Sequence, residues 1–461
     1  MSVPLGIVLR EGTINGFVPC YSPDYIVGYA KGKCENEDSA QLLSIVKSRQ
    51  ENSSKTMLLI HATSDPLTII PSCGRPEFQS AESGIILSRV EQWSQTHLAS
   101  FDSVLWPDSR GSSFLASRFL SEQAPPPGFN TLASCAQYVS LIPSFNSIEC
   151  KLLKGRDENM TLSSQQFLGI LSGTHRDHAV LLTNFFLYLS SSNPDFAADV
   201  FLAGGCSIPD GKAVSSTIMK YVVSNVIIDD LNSFEKTWVM RRCKKNREVV
   251  LWDAITGCAY LQGDESCPLQ KIYYLVSTDN AYANVQLNKF TPLLDFDVSN
   301  PRMWAPLLGG KFKTTMMNVQ DKTLHYTPPD NMLVRQLQIE VCESVQNAIR
   351  GWRQVPTSFR PDISVKIGGM IDKLEQAKLN GNSSSNSEMA LPESITRARA
   401  VFGFALHVPF TGVESLIERV KATEIHRNRN PRVEYTVAVR AFMYPGGVIS
   451  LWVFVCSIVE S

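Results

Sequence analysis

The residues best placed for chemistry lie in the run Gly173-Thr174-His175-Arg176-Asp177-His178, which opens a helix near the middle of the chain. Two imidazoles three positions apart fall on one side of a helix. With Asp253 nearby they would offer the nitrogen and oxygen donors of a metal site. No fourth ligand stands out, and a capping or hydrogen-bonded histidine accounts for the same residues, so no metal and no other cofactor is assigned. The second chemistry that a helix start serves is nucleophilic, because the positive end of the dipole and free N–H groups favour a thiolate there. His175 occupies that position, and an imidazole cannot form an acyl-thioester. Cys206 and Cys258 could supply a thiol from elsewhere, but neither begins a helix beside a base, so both read as ordinary buried thiols. The run Gly204 to Lys212 looks like a phosphate loop at first sight. Its spacing from Gly205 to Gly211 is too long, and Ala213 stands where a Ser or Thr would meet magnesium. It reads as a turn.

The chain that must position these groups has 461 residues, 44% hydrophobic and 19% charged, which describes a folded protein with room for several cores. Forty-three Lys and Arg nearly balance forty-four Asp and Glu, so the net charge of −1 gives no overall case for nucleic acid or an anionic membrane. The basic run Arg241 to Arg247 reads as a solvated hairpin tip. Eleven cysteines are scattered singly, which argues against a zinc ribbon or a disulfide framework and fits reduced thiols in the cytoplasm. The N-terminus carries no secretory pattern. The most apolar run, Val448–Val459, falls short of the roughly twenty residues a membrane span needs and reads as a strand buried on both faces.

Hydrophobic period and turn residues divide the chain into four parts. Residues 1–72 read as strands at Leu5–Leu9, Tyr25–Tyr29 and Lys55–His61, too few to close a sandwich alone. Residues 73–130 are a connector with a helix over Ser83–Leu98, strands at Ser103–Trp106 and Ser113–Phe119, and a stop at Ala124-Pro125-Pro126-Pro127-Gly128. Residues 131–310 hold helices from Thr131, Ser163 and His175, then strands at Asp199–Leu202, Thr237–Arg241, Val249–Trp252, Ile272–Val276 and Ala283–Gln286. In residues 311–461 a helix runs from Asn331 to Trp352 with an apolar stripe of Leu333, Leu337, Val341, Val345, Ala348 and Trp352. A glycine/serine loop follows at 381–387. A strand Phe402–Val408 and a helix opened by a capping box at Thr411–Glu414 precede the hairpin Glu434–Phe442/Val448–Val459. The tryptophans Trp238, Trp252, Trp304 and Trp352 read as core.

One helix followed by antiparallel strands is an α+β arrangement, and the letters around it resemble the papain/transglutaminase-like superfamily. There the nucleophile helix runs close to G-x-C-R-D-x-A-x-L-L. Gly173, Arg176, Asp177, Ala179 and Leu182 fall in place, with His175 at the cysteine. The strand H-A-W-V is matched by Lys236-Thr237-Trp238-Val239, and the orienting aspartate by Asp253 after Leu251-Trp252. The resemblance therefore implies a degenerate triad of His175, Lys236 and Asp253 with no catalytic residue, in a pseudoenzyme.

Further runs, including Phe167-Leu168-Gly169-Ile170-Leu171-Ser172-Gly173, Cys267-Pro268-Leu269-Gln270, Phe296 to Trp304 and Leu451-Trp452-Val453-Phe454, resemble the C-terminal half of the coiled-coil and C2 domain-containing protein 2A family. That resemblance implies the tail of a C2-like sandwich in residues 1–72, an inactive transglutaminase-like domain in 131–310 and a C-terminal α+β module packed on it. Full family members are several times longer and carry N-terminal coiled coils, so the resemblance also implies either a partial gene model or a short paralogue. The function implied is a non-enzymatic scaffold of the ciliary transition zone and basal body, in the cytoskeleton, needed for cilium assembly and gating. Its partners would be other transition-zone proteins, with membrane contact only indirect. The alternative is a cryptic hydrolase or a peptide-binding module using the vacated cleft.

Overall fold

The computed structural model describes residues 13–20, 56–63, 81–98, 104–144, 160–207, 234–264, 266–309, 318–353, 355–380, 399–428 and 430–460. The expected strands at 5–9 and 25–29, the connection at 71–78 and the loop at 381–387 lie outside these residues. Strands β1 (Thr13–Cys20) and β2 (Thr56–Thr63) pair antiparallel, Thr13 opposite Thr63.

Helix α1 (Gly84–His97) follows its N-cap Ser83 and buries Ile86, Val90 and Trp93. Arg89 Nε donates to the Leu307 carbonyl at 2.7 Å and Trp93 Nε1 to that of Ala305 at 3.1 Å. The helix is thereby fastened to the segment Ala305–Leu307. Strands β3 (Leu105–Pro107) and β4 (Ser113–Leu115) form a short ladder. The expected strand to Phe119 stops early, because Ala116–Phe119 winds into a 3₁₀ turn that buries Phe119. Helices α2 (Leu132–Ser140) and α3 (Ser164–Ile170) start on reciprocal caps at Thr131 and Ser163.

Helix α4 (His175–Ser192) is buried along most of its length and packs on one face of a seven-stranded sheet. The strands are β5 (Ala198–Ser207), β6 (Phe234–Cys243), β7 (Val249–Trp252), β8 (Ala259–Leu261), β9 (Leu269–Val276), β10 (Ala281–Asn284) and β11 (Trp304–Pro306). Their order is β11-β10-β9-β5-β6-β7-β8, and every pairing is antiparallel. Period-two alternation splits the side chains. Val200, Leu202 and Val239 join the core beneath α4, while Phe201, Ala203, Trp238 and Met240 fill a separate core on the far face. Gly204 and Gly205 lie inside β5 and not in a turn, at a break in its register with β9. A Cβ would come within 2.1 Å of the Tyr274 ring at the first and 2.1 Å of the Lys271 carbonyl oxygen at the second, so close packing accounts for both glycines.

The C-terminal part has three layers. Strand β14 (Val448–Glu460) lies between β12 (Arg399–Pro409) and β13 (Glu434–Tyr444), so the doubly apolar run is a central strand. Leu451, Val453 and Val455 face a core shared with α5 (Asn331–Trp352) and α7 (Val413–Ala422). Trp452, Phe454, Cys456 and Ile458 face α6 (Pro361–Leu379). In α5 the buried positions are Leu337, Val341, Val345 and Ile349; Leu333, Ala348 and Trp352 from the expected stripe are only partly covered. The capping box expected at Thr411 does not form. Gly412, with φ 134°, is the N-cap, and no side chain bonds there. The hairpin tip docks on the first part of the molecule: Tyr138 Oη donates to the Pro445 carbonyl at 2.8 Å, and Phe129 meets Tyr444 edge-on at 5.1 Å. No helix among the described residues is long and apolar enough to cross a membrane.

Candidate functional site

The start of α4 is built by its own first turn. Thr174 Oγ1 accepts from the Asp177 N–H at 3.4 Å, and Asp177 Oδ2 accepts from the Thr174 N–H at 2.8 Å. Asp177 Oδ1 also accepts from the Leu162 N–H at 2.8 Å, so this carboxylate is committed to holding the helix start against the preceding segment. Gly173 must be glycine here, since a Cβ would lie 2.6 Å from the Phe167 ring and 2.8 Å from the Asp177 carboxylate.

His175 is the first residue of the helix and abuts β6. Its Nδ1 accepts from the backbone N–H of Thr237 at 3.1 Å, which places the imidazole proton on Nε2. Burial, followed by the charges of Arg176, Lys236 and His178, holds its pKa down to about 3. The ring is therefore neutral at physiological pH. Its Nδ1 lone pair is engaged, and Nε2–H is left as a donor.

Lys236 and Asp253 meet as a buried ion pair, Nζ to Oδ2 at 2.7 Å, with side chains 5% and 1% exposed. Asp253 Oδ1 accepts from the Ile255 N–H at 3.0 Å, which fixes the carboxylate in its turn. Lys236 Nζ also lies 5.4 Å over the Trp238 ring. The three residues singled out from the sequence are thus gathered where α4 meets β6 and the end of β7. The contact with His175, however, comes from the Thr237 backbone, which side-chain pattern does not mark.

His178 points elsewhere. Its two ring nitrogens face the carbonyls of Thr174 at 2.7 Å and Ile142 at 2.9 Å, and Phe167 lies against it edge-on at 4.7 Å. Complete burial holds it below the usual imidazole range, opposed by those carbonyls and by Asp177 and Asp253. His175 and His178 therefore do not converge on one point. Among the described residues no cluster of three or more His, Cys, Asp or Glu could hold a metal ion. The expectation of two buried thiols fails: Cys258 is exposed and Cys206 only partly covered. In the basic run, Arg241 is buried and Arg242 pairs with Asp199 at 2.9 Å, so only Lys244–Arg247 forms an exposed tip.

The geometry can be set beside known proteins. Residues 159–307 match the model of the CEP76 peptidase-like domain, and residues 327–459 match that of the C-terminal domain of centrosomal protein of 76 kDa. The chain is 25% identical to human protein CC2D2B and 24% identical to coiled-coil and C2 domain-containing protein 2A of Drosophila melanogaster, each alignment covering 99% of the chain. Together these matches support a CC2D2A-like family. The chain spans about 30% of the length of the first of these relatives and 32% of the second. Within the region that matches the peptidase-like model lie α4, β6 and β7 with His175, Lys236 and Asp253; α5, α6 and the three-stranded sheet lie in the second matched region.

The histidines set a pH dependence. His407 sits in the C-terminal module with Nδ1 2.6 Å from Lys378 Nζ and its ring stacked on Trp452 at 4.0 Å. Burial, then Lys378, holds its pKa down to about 3. An unfolded histidine titrates near pH 6.5. Between about pH 6.5 and 3 the unfolded chain binds more protons at His175 and His407 than the folded one, so stability is complete above that window and falls with pH through it. Urea midpoints at pH 7.5, 6 and 5 are expected to decline in that order. A midpoint that stays flat would show the two rings to be solvated.

Proposed function

We propose that the chain is a non-enzymatic scaffold module of the ciliary transition zone and basal body, acting through contacts with other proteins there. One observation supports this above the rest. The helix-start position that a cysteine peptidase or transglutaminase needs for its thiolate is held by His175, whose Nδ1 is occupied by the Thr237 N–H. Lys236 and Asp253, at the positions of base and orienter, bind each other. In this reading the α4 helix and the seven-stranded sheet are a papain/transglutaminase-like core retained as a rigid body without its chemistry, and β1 and β2 belong to a C2-like sandwich. The placement at the cilium base draws on the family resemblance and on the centrosomal protein whose domain models match.

Two measurements test the proposal. The full chain, incubated with an electrophilic acyl probe and digested for mass spectrometry, should carry no adduct at His175, Lys236 or Thr237; a stoichiometric adduct at any of them refutes the pseudoenzyme. Tagged protein in ciliated cells should concentrate beside a basal-body marker, and a uniform cytosolic distribution with normal cilia after its loss refutes the scaffold role.

A further inference from the structure

Helix α5 ends in a corner whose positive charge the described protein does not balance. Arg353, just past Trp352, is 6% exposed, and its guanidinium lies 4.7 Å over the Tyr435 ring. Nη2 donates to the backbone carbonyls of Asn428 and Asn430, each at 3.1 Å. Nε and Nη1 are buried and meet no acceptor, and no described carboxylate pairs with this side chain. A guanidinium withdrawn from water without an anion is a costly arrangement that a ligand's negative charge would relieve.

The turn beside it supplies more of the same sign. His426 Nδ1 is also buried without a partner, and its ring sits 5.0 Å from Trp352. From the last turn of α7, Lys421 Nζ lies 5.9 Å over the Trp352 ring. Arg427 is 70% exposed on its side chain and holds Glu424, the acid of that turn, at 2.9 Å. Arg350 caps the Phe359 ring at 4.8 Å close by, and Arg432 lies two residues past Asn430.

We infer that this corner binds the phosphate of a phosphoserine or phosphothreonine in a protein partner. A dianion with three acceptor oxygens matches several cations and an unpartnered imidazole better than a carboxylate with one charge and two oxygens. The cations gather at the end of α5, the last turn of α7 and the turn that follows it, in a chain whose net charge is −1. A membrane or nucleic acid would call for an extended basic surface. The partly exposed Trp352 offers a face for the residues flanking the phosphate. Arg353 is the fixed charge behind the turn; Lys421, His426 and Arg427 are the groups at its surface. The inference stands on these side chains and not on the scaffold reading.

The test uses the full chain and a labelled peptide carrying one phosphoserine between small neutral residues, with its unphosphorylated form as reference. Fluorescence anisotropy should show about a tenfold or greater preference for the phosphorylated peptide, lost in Lys421→Glu/Arg427→Glu and in Arg353→Met. Should Arg353→Met fail to fold, the exposed pair decides alone. Equal binding of the two peptides overturns the inference, as does a preference that survives Lys421→Glu/Arg427→Glu. Binding only to vesicles containing a phosphoinositide overturns it in favour of a lipid.

Discussion

Replacing Lys236 by methionine is expected to destabilise the protein by about 3–5 kcal/mol, the usual cost of removing one partner from a buried ion pair. The effect comes less from the lost attraction than from Asp253, left with a charge in a site where its side chain is 1% exposed. Its remaining bond to the Ile255 N–H does not replace the ammonium. A double variant, Lys236→Met with Asp253→Leu, should recover most of the loss, because two apolar groups of similar volume leave no unpaired charge. Urea unfolding followed by tryptophan fluorescence reports both, with Trp238 beside the lysine. A single variant that loses under about 1 kcal/mol would mean that the pair behaves as a surface bridge.

Glu375→Leu is expected to be comparably damaging for the C-terminal module. The Glu375 carboxylate is fully buried on α6, where Oε2 accepts from Trp452 Nε1 at 2.6 Å and Oε1 accepts a short hydrogen bond from Tyr444 Oη. Leucine would strand both donors, at about 1–3 kcal/mol each. Lys378, which lies 5.0 Å over the Trp452 ring, would lose its nearby anion. Tyr444→Phe removes one donor without stranding another and should cost about 1 kcal/mol, so the pair of variants separates unmet donors from lost bonds. Because Tyr444 also meets Phe129 edge-on, Glu375→Leu should loosen the hairpin tip from the first part of the molecule. Faster amide exchange at Tyr138–Ile142 would report that; unchanged exchange would localise the damage to the module.

The local elements were largely legible in the sequence. Helix α5 begins and ends at the residues its pattern marks, and β7 spans Val249–Trp252 as read. The helix start at His175 follows from Thr174 and Asp177, a cap whose partners lie within one turn. Helix α6 has an equally regular signal in Ile363, Ile367, Ile371 and Leu374 after Pro361, although glycines at 368 and 369 lower its helix propensity; the sequence-based expectations do not include it. The failed cap at Thr411 shows the limit of such rules: the letters fit, but the backbone at Gly412 takes a conformation that leaves no side chain in place.

By itself, the sequence determined that no thiol stands at the start of α4, that β14 is apolar on both faces, and where most helices begin. These properties follow from residue type and from contacts within a few positions of chain. Only the tertiary structure decided what His175, Lys236 and Asp253 each meet. Lys236 and Asp253 are seventeen residues apart and pair across neighbouring strands, while the imidazole of His175 is tied down by an amide sixty-two residues away. A backbone N–H is the same at every non-proline position, so only the packing of α4 against β6 could reveal which one would meet it.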